Sequence, residues 1–137
     1  MTDTISDERK KDIFRTMAQA WHEQDWDTCS GLFAPDGILH SVMLQPVVGR
    51  DTIHARLLTL NGANKKVTLH IERMGVIDGA LVVQRVDEVV IDGQRGECPA
   101  IGVLDFTGDK IARWRDYYDR ATLMKAAGHK PEAEKHA

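Results

Sequence analysis

Cysteine is nearly absent from these 137 residues, occurring only at Cys29 and Cys98. Two thiols cannot staple a secreted scaffold, so both are expected reduced and packed, as in a cytosolic protein. No apolar run approaches the roughly 18 residues of a spanning helix. The opening "MTDTISDERKK" carries no apolar stretch of the kind a secretory signal uses, so the expected location is cytoplasmic, away from the membrane. Charge of neither sign accumulates: 18 Lys and Arg oppose 21 Asp and Glu for a net −3, interspersed along the chain. That excludes the clustered basic footprint of a nucleic-acid binder. Repeats, linkers and low-complexity segments are missing too. What remains is a chain with 42% hydrophobic residues, long enough for one proper core and best read as a single domain over 1–137, with 1–5 and 129–137 as loose tails.

The first half has a helical period. From Ser6 to about Gln24, Ile13, Met17 and Trp21 recur every four residues beside Phe14 and Ala18, with Ser6 as cap and Asp7 and Glu8 in the first turn. "DWDTCSGLFAPDG" reads as a second, short helix capped by Asp27 and ended by a turn at Pro35-Asp36-Gly37. "ILHSVM" reads as a short strand. "GRDTIHARLLTLNG" reads as a third helix, with Ile53, Leu57 and Leu60 on one face and Gly62 as its stop. The second half changes to a period of two. Four strands are predicted, Val67–Val76, Ala80–Ile91, Arg95–Phe106 and Ile111–Asp119, joined by turns at Asp78-Gly79, Asp92-Gly93 and Gly108-Asp109. A last helix is expected over Ala121–Ala127. Helices followed by a meander make an α+β domain whose sheet curls around the helices and leaves a concave, largely apolar pocket.

One strand carries too much charge for a packed sheet. In "LVVQRVDEVV", Val83, Arg85, Asp87 and Val89 share a face, while Gln84, Val86, Glu88 and Val90 share the other. An inward Arg85 or Asp87 needs a partner, because an unpaired buried charge costs several kcal/mol. A two-residue turn at Asp92-Gly93 places Asp87 opposite Cys98, Arg85 opposite Ala100 and Val83 opposite Gly102. Small residues facing charged ones leave room for a cavity. "RWRDYYDR" at 113–120 adds a second acid, Asp116. A two-residue turn at Gly108-Asp109 puts Asp116 opposite Ile101, on the other face. A three-residue loop, Gly108 to Lys110, puts it opposite Gly102, beside Arg85 and Asp87; this register is favoured, since three-residue glycine hairpins are common. Trp114 and Tyr118 then share its face, and Arg113, Arg115 and Tyr117 point out.

An arginine between two carboxylates has a chemical use. Its planar fork binds both acids, and two such acids share one proton with split apparent pKa values. One then serves as general base and the other as general acid toward whatever fills the cavity. The alternative is an ion-pair network that only fixes register.

The residues "RVD" at 85–87 and "WRDYYD" at 114–119, after "LFAPDG" and "VVGRDTI", resemble the limonene-1,2-epoxide hydrolase family. That family lies within the superfamily sharing the curved α+β cone of nuclear transport factor 2, which includes SnoaL-like proteins. The resemblance runs from about Trp21 to Leu123. It implies a mixed or antiparallel sheet wrapped around N-terminal helices, with a deep pocket, in a cofactor-independent and metal-free hydrolase. It implies that Asp116 deprotonates a water, Asp87 protonates the epoxide oxygen and Arg85 bridges them, giving a diol from a small apolar epoxide. The family also positions its water with a Tyr and an Asn two residues apart on the first strand. Here "ILHSVM" offers either His40 with Val42 or Leu39 with Ser41, so His40 and Ser41 are the water-holding candidates. The substrate pocket is expected to include Trp114, Tyr118, Val89, Ala100, Gly102 and Leu123.

Rivals on the same scaffold are a ketosteroid-isomerase-like or polyketide-cyclase-like enzyme, or a binding protein without catalysis. An isomerase wants a carboxylate on "ILHSVM", which has none. His70 and Glu72 share a strand face but lack a third metal ligand. His22 and His54 read as solvated or capping groups, and Cys98 as pocket wall. No glycine loop for phosphate or other cofactor motif is present. The mixed outer face of Gln84, Val86, Glu88 and Val90 suggests a homodimer.

Overall fold

A computed structural model describes residues 4–128; the tail expected at 129–137 lies outside them. The first helix, α1 (Asp7–His22), is capped by Ser6, whose Oγ accepts from the Arg9 N–H at 3.1 Å. Its stripe of Ile13, Phe14 and Met17 is fully buried, as a 3.6-residue period requires. The second, α2 (Trp26–Gly31), is capped by Asp25 rather than Asp27. Asp25 lies three residues before Thr28 and accepts from both its N–H, at 3.2 Å, and its hydroxyl, at 2.6 Å. Asp27 instead faces His54 Nε2 at 2.7 Å.

The expected turn at Pro35-Asp36-Gly37 does not end a helix. A strand, β1 (Phe33–Ser41), already runs through it. The Pro-Asp-Gly segment lies within a kink: β1 pairs with the last strand at Phe33↔Ile111 and again only from Ile38↔Arg113. A Cβ on Gly37 would stand 3.0 Å from both the Ala34 and the Ile111 carbonyl oxygens, so the fold-back admits glycine alone without adjustment. A two-residue strand not expected from the sequence, β2 (Val47–Val48), pairs with β1. It is followed by α3 (Arg50–Leu58), which stops short of Gly62, at Thr59.

The remaining strands are β3 (Lys65–Ile77), β4 (Ala80–Ile91), β5 (Gln94–Thr107) and β6 (Lys110–Tyr118), with α4 (Arg120–Ala126) at the end. The sheet order is β2-β1-β6-β5-β4-β3. It is mixed, because β1 runs parallel to β6 while the other neighbours are antiparallel. At Asp78-Gly79 and Asp92-Gly93 all four residues have positive φ, between 51° and 83°. That is the turn whose twist matches a hairpin. The β4–β5 register follows from it: Asp87 faces Cys98, Arg85 faces Ala100 and Val83 faces Gly102.

Two bulges set the other faces. The loop before β6 has two residues, not three, since Thr107 pairs with Lys110. The register then slips at Ala112, between the pairs Phe106↔Ile111 and Asp105↔Arg113, and brings Asp116 opposite Gly102. A second bulge leaves Glu72 unpaired between Ile71↔Arg85 and Arg73↔Gln84; His70, opposite Val86 in register, contacts the Glu88 carboxylate diagonally through Nε2 at 2.9 Å. Both keep the apolar side of each strand turned inward as the sheet curves. α1 packs across β3, α3 against β1 and α4 against β5, and the core lies between α1 and the inner sheet face.

Candidate active site

Two strands, with a third between them, present three charged side chains on one face. Arg85 stands on β4, two residues before Asp87, and Asp116 stands on β6 with Gly102 of β5 between them. The guanidinium donates to Asp87 through Nε (2.7 Å) and Nη2 (3.1 Å), and to Asp116 through Nη1 (2.9 Å) and Nη2 (2.6 Å). Its side chain is 1% exposed, while Asp87 and Asp116 are 15% and 14% exposed. The arginine is thus sealed into the protein, and each carboxylate keeps an edge toward open space.

Asp116 has a further donor. Trp114 Nε1 bonds its Oδ1 at 2.5 Å. The indole is held by an aromatic cluster: Phe14 and Trp21 meet it edge-on at 5.3 and 5.5 Å, and Phe33 stacks at 6.4 Å. Sequence reasoning placed Trp114 in the pocket wall and missed this bond, because a tryptophan in a strand signals packing before it signals donation. Gly102 explains how the groups fit. A Cβ there would lie 2.9 Å from Arg85 Nη1, 3.0 Å from Trp114 Nε1 and 3.1 Å from Asp116 Oδ1.

Beside these groups opens a cavity of about 400 Å³, within the range of small-molecule sites. Asp87, Asp116, Trp114, Tyr118, Val89 and Leu123 all reach it. Ala100 and Gly102 are corrections: both are buried in β5 opposite charged or aromatic neighbours and do not line the cavity. His40 is another. In β1, Leu39 and Ser41 face the cavity, whereas His40 takes the opposite face and its Nε2 contacts the Leu44 carbonyl at 2.9 Å. Ser41 pairs in register with Asp116, and its Oγ accepts from the Tyr118 hydroxyl at 2.9 Å. The walls contributed by Trp21, Leu57, Leu60 and Val67 left no sequence signal beyond ordinary apolar period, because only the tertiary fold brings those elements together.

The electrostatics separate the groups. Burial is the largest influence on Asp87 and pushes its carboxyl above the ordinary 3.8, against the pull of Arg85. Burial also opposes the Arg85 charge, but Asp116 and Asp87 together outweigh it, and the guanidinium pKa rises further. The Cys98 thiol is raised by burial and then by Asp87, which disfavours the thiolate that a nucleophile needs. Cys29 is pushed up to about 12, by burial and Asp25. Among the described residues no three His, Cys, Asp or Glu side chains gather as a metal site, and no helix is long and apolar enough to cross a membrane.

The sequence profile of the SnoaL-like domain matches residues 14–114. A curated protein, epoxide hydrolase EphG of Mycobacterium tuberculosis, is 25% identical over 107 residues, which cover 77% of this chain and 70% of the relative. An LEH-like epoxide hydrolase from M. tuberculosis superposes with a TM-score of 0.77 at 22% identity, covering 87% of this chain and 89% of the other. A protein of ketosteroid isomerase-like fold from Catenulispora acidiphila, solved in complex with trimethylamine, superposes with a TM-score of 0.76 at 21% identity, covering 86% and 93%. The common ground of these structures is the fold.

Proposed function

The chain belongs to the SnoaL-like domain family, and on that scaffold we propose that it is an epoxide hydrolase that adds water to an epoxide by general acid–base catalysis. The observation that carries this reading is the single buried arginine held between two carboxylates at the wall of an apolar cavity. The relative named as an epoxide hydrolase supports it.

Asp116 acts as base. Its charge is met by Arg85 and Trp114, and it stands beside the Ser41–Tyr118 hydroxyl pair, which holds the attacking water in place of a Tyr and Asn. Asp87, whose carboxyl is shifted toward the protonated form, acts as acid. The water oxygen attacks one ring carbon from the side opposite its C–O bond, and Asp116 takes the water proton. The C–O bond breaks, Asp87 protonates the departing oxygen, and a trans vicinal diol results. Asp116 then releases one proton and Asp87 regains one, so the cycle closes without net proton change. Arg85 keeps the acids in reach of each other and prevents both from standing uncompensated.

A panel of cyclic and aryl epoxides in 18-oxygen water tests this. Label is expected in the diol within a single turnover, and Asp116→Asn should lose about 10²- to 10⁴-fold in rate, the usual contribution of a positioned base. No diol from any substrate, or undiminished turnover in the variant, refutes the reading. Asp87→Asn separates it from a cyclase-like reaction carried by one acid, which would survive that change. An isomerase with a base on β1 is disfavoured, because that strand offers the cavity Leu39 and Ser41 and no carboxylate.

A further inference from the structure

The two ends of the cavity differ in chemistry. At the inner end Arg85, Asp87 and Asp116 satisfy one another. Two more charged side chains line the wall, and both are cationic: Arg56 in the last turn of α3, and Lys65 at the start of β3. Neither has a carboxylate within 4.0 Å among the described residues. The wall between is apolar, formed by Leu57, Leu60, Val67, Leu69 and Val89.

Lys65, Val67 and Leu69 alternate onto the inner side of β3, and Leu69 pairs with Asp87. Four residues at the strand rise separate the Lys65 rung from the Asp87 rung by about 13 Å. A neutral apolar epoxide makes no use of Lys65 at that distance or of Arg56, exposed on α3 at the same opening. A molecule with an anion at the far end of an apolar body does, and the Arg56 fork suits a carboxylate in particular. We infer that the preferred substrate is an epoxide on an apolar body ending in a carboxylate, with the ring at Asp87 and Asp116 and the carboxylate at Arg56 and Lys65. The reaction in this statement rests on the hydrolase reading above; the anion site does not. The competing account lays both stems along the rim with their heads in water, and it predicts no discrimination between an acid and its ester.

The test compares kcat/KM for an epoxy acid of this span and its methyl ester. Wild-type protein is expected to favour the acid by about tenfold at low ionic strength, equivalent to 1.4 kcal/mol. Added salt should shrink the preference, as should Arg56→Gln and Lys65→Gln, singly and together. Moving the carboxylate next to the ring should abolish it. Equal kcat/KM for acid and ester in wild type, or a ratio unmoved by salt, overturns the inference without any variant having to fold. Titration calorimetry of a saturated carboxylate and its methyl ester into Asp116→Asn protein reads the same preference without turnover. Preference there, with no epoxide hydrolysed by wild type, sinks the hydrolase reading and keeps the anion site; hydrolysis without preference does the reverse.

Discussion

Gly102→Ala is a small perturbation with a large expected consequence. The new methyl carbon would meet Arg85 Nη1, Trp114 Nε1 and Asp116 Oδ1 at 2.9–3.1 Å, and none of the three yields cheaply. Arg85 is held by four hydrogen bonds, Trp114 by three aromatic neighbours and Asp116 by donors from both. Overpacking of a tight interior costs about 1–3 kcal/mol. Replacing glycine by alanine where the backbone allows it returns about 0.4–1 kcal/mol through the unfolded chain. The net loss is then about 0–2.6 kcal/mol, or up to roughly 10 °C in Tm for a domain of this size. On the proposed reading turnover should fall further, on the order of 10²-fold, because the methyl displaces Asp116 and Arg85 together. Gly75→Ala in β3 is the control: a Cβ there meets nothing within 4 Å, so that variant should melt at or above wild type. Thermal melts by circular dichroism and initial rates on the best epoxide give both readouts. If the two alanines behave alike, the close approach at Gly102 is not what positions the charged groups.

Arg85→Met removes the shared counter-charge and leaves two carboxylates facing each other. A loss of about 3–5 kcal/mol near neutral pH is expected, recovering in part as acid protonates them, which urea unfolding at two pH values will show. Asp87 has a pKa raised by burial, so the native state binds its proton more tightly than the unfolded chain does. Its contribution to stability is therefore present at acid pH and lost as pH rises from the ordinary 3.8 through the raised value. Asp87→Asn should flatten that slope in urea midpoints, and, with Asp87 as the proposed acid, wild-type turnover should decline over the same limb as it deprotonates. At Gly96 a Cβ would collide with Ala126 Cα and lie 2.5 Å from its carbonyl oxygen. Gly96→Val should push α4 off the sheet, raising amide exchange across 120–126 and weakening binding of any ligand that touches Leu123.

Legibility in the sequence followed local chemistry. Asp-Gly pairs dictate their turns, so the β4–β5 register could be counted from the residues, and with it the company of Arg85 and Asp87. The bulge at Ala112 carries no such mark. The face of Asp116 was reached by an extra loop residue, whereas the structure spends the extra residue inside β6. Pro35-Asp36-Gly37 misled for a related reason: these residues forbid regular pairing but do not forbid a strand, and β1 absorbs them in a kink. Which of His40 and Ser41 meets the cavity depended on that kink, which no periodicity could register. Arg56 and Lys65 carry no mark of a shared opening in the sequence, because only the fold brings the end of α3 and the start of β3 together there.

The charged groups hang from β4 and β6, inside the sheet, whereas much of the opening is drawn from α3, α4 and the loop after β1. On the proposed reading, reactivity and selectivity therefore reside on separately mutable parts of the chain. Substitutions at Leu44, Gln45, Arg56, Leu60 or Met124 alter what enters without moving a strand, and a change of substrate on this scaffold leaves the hydrogen bonds of Arg85 untouched. Diversifying those five positions in a library is thus a route to new preferences that keeps Arg85, Asp87 and Asp116 constant.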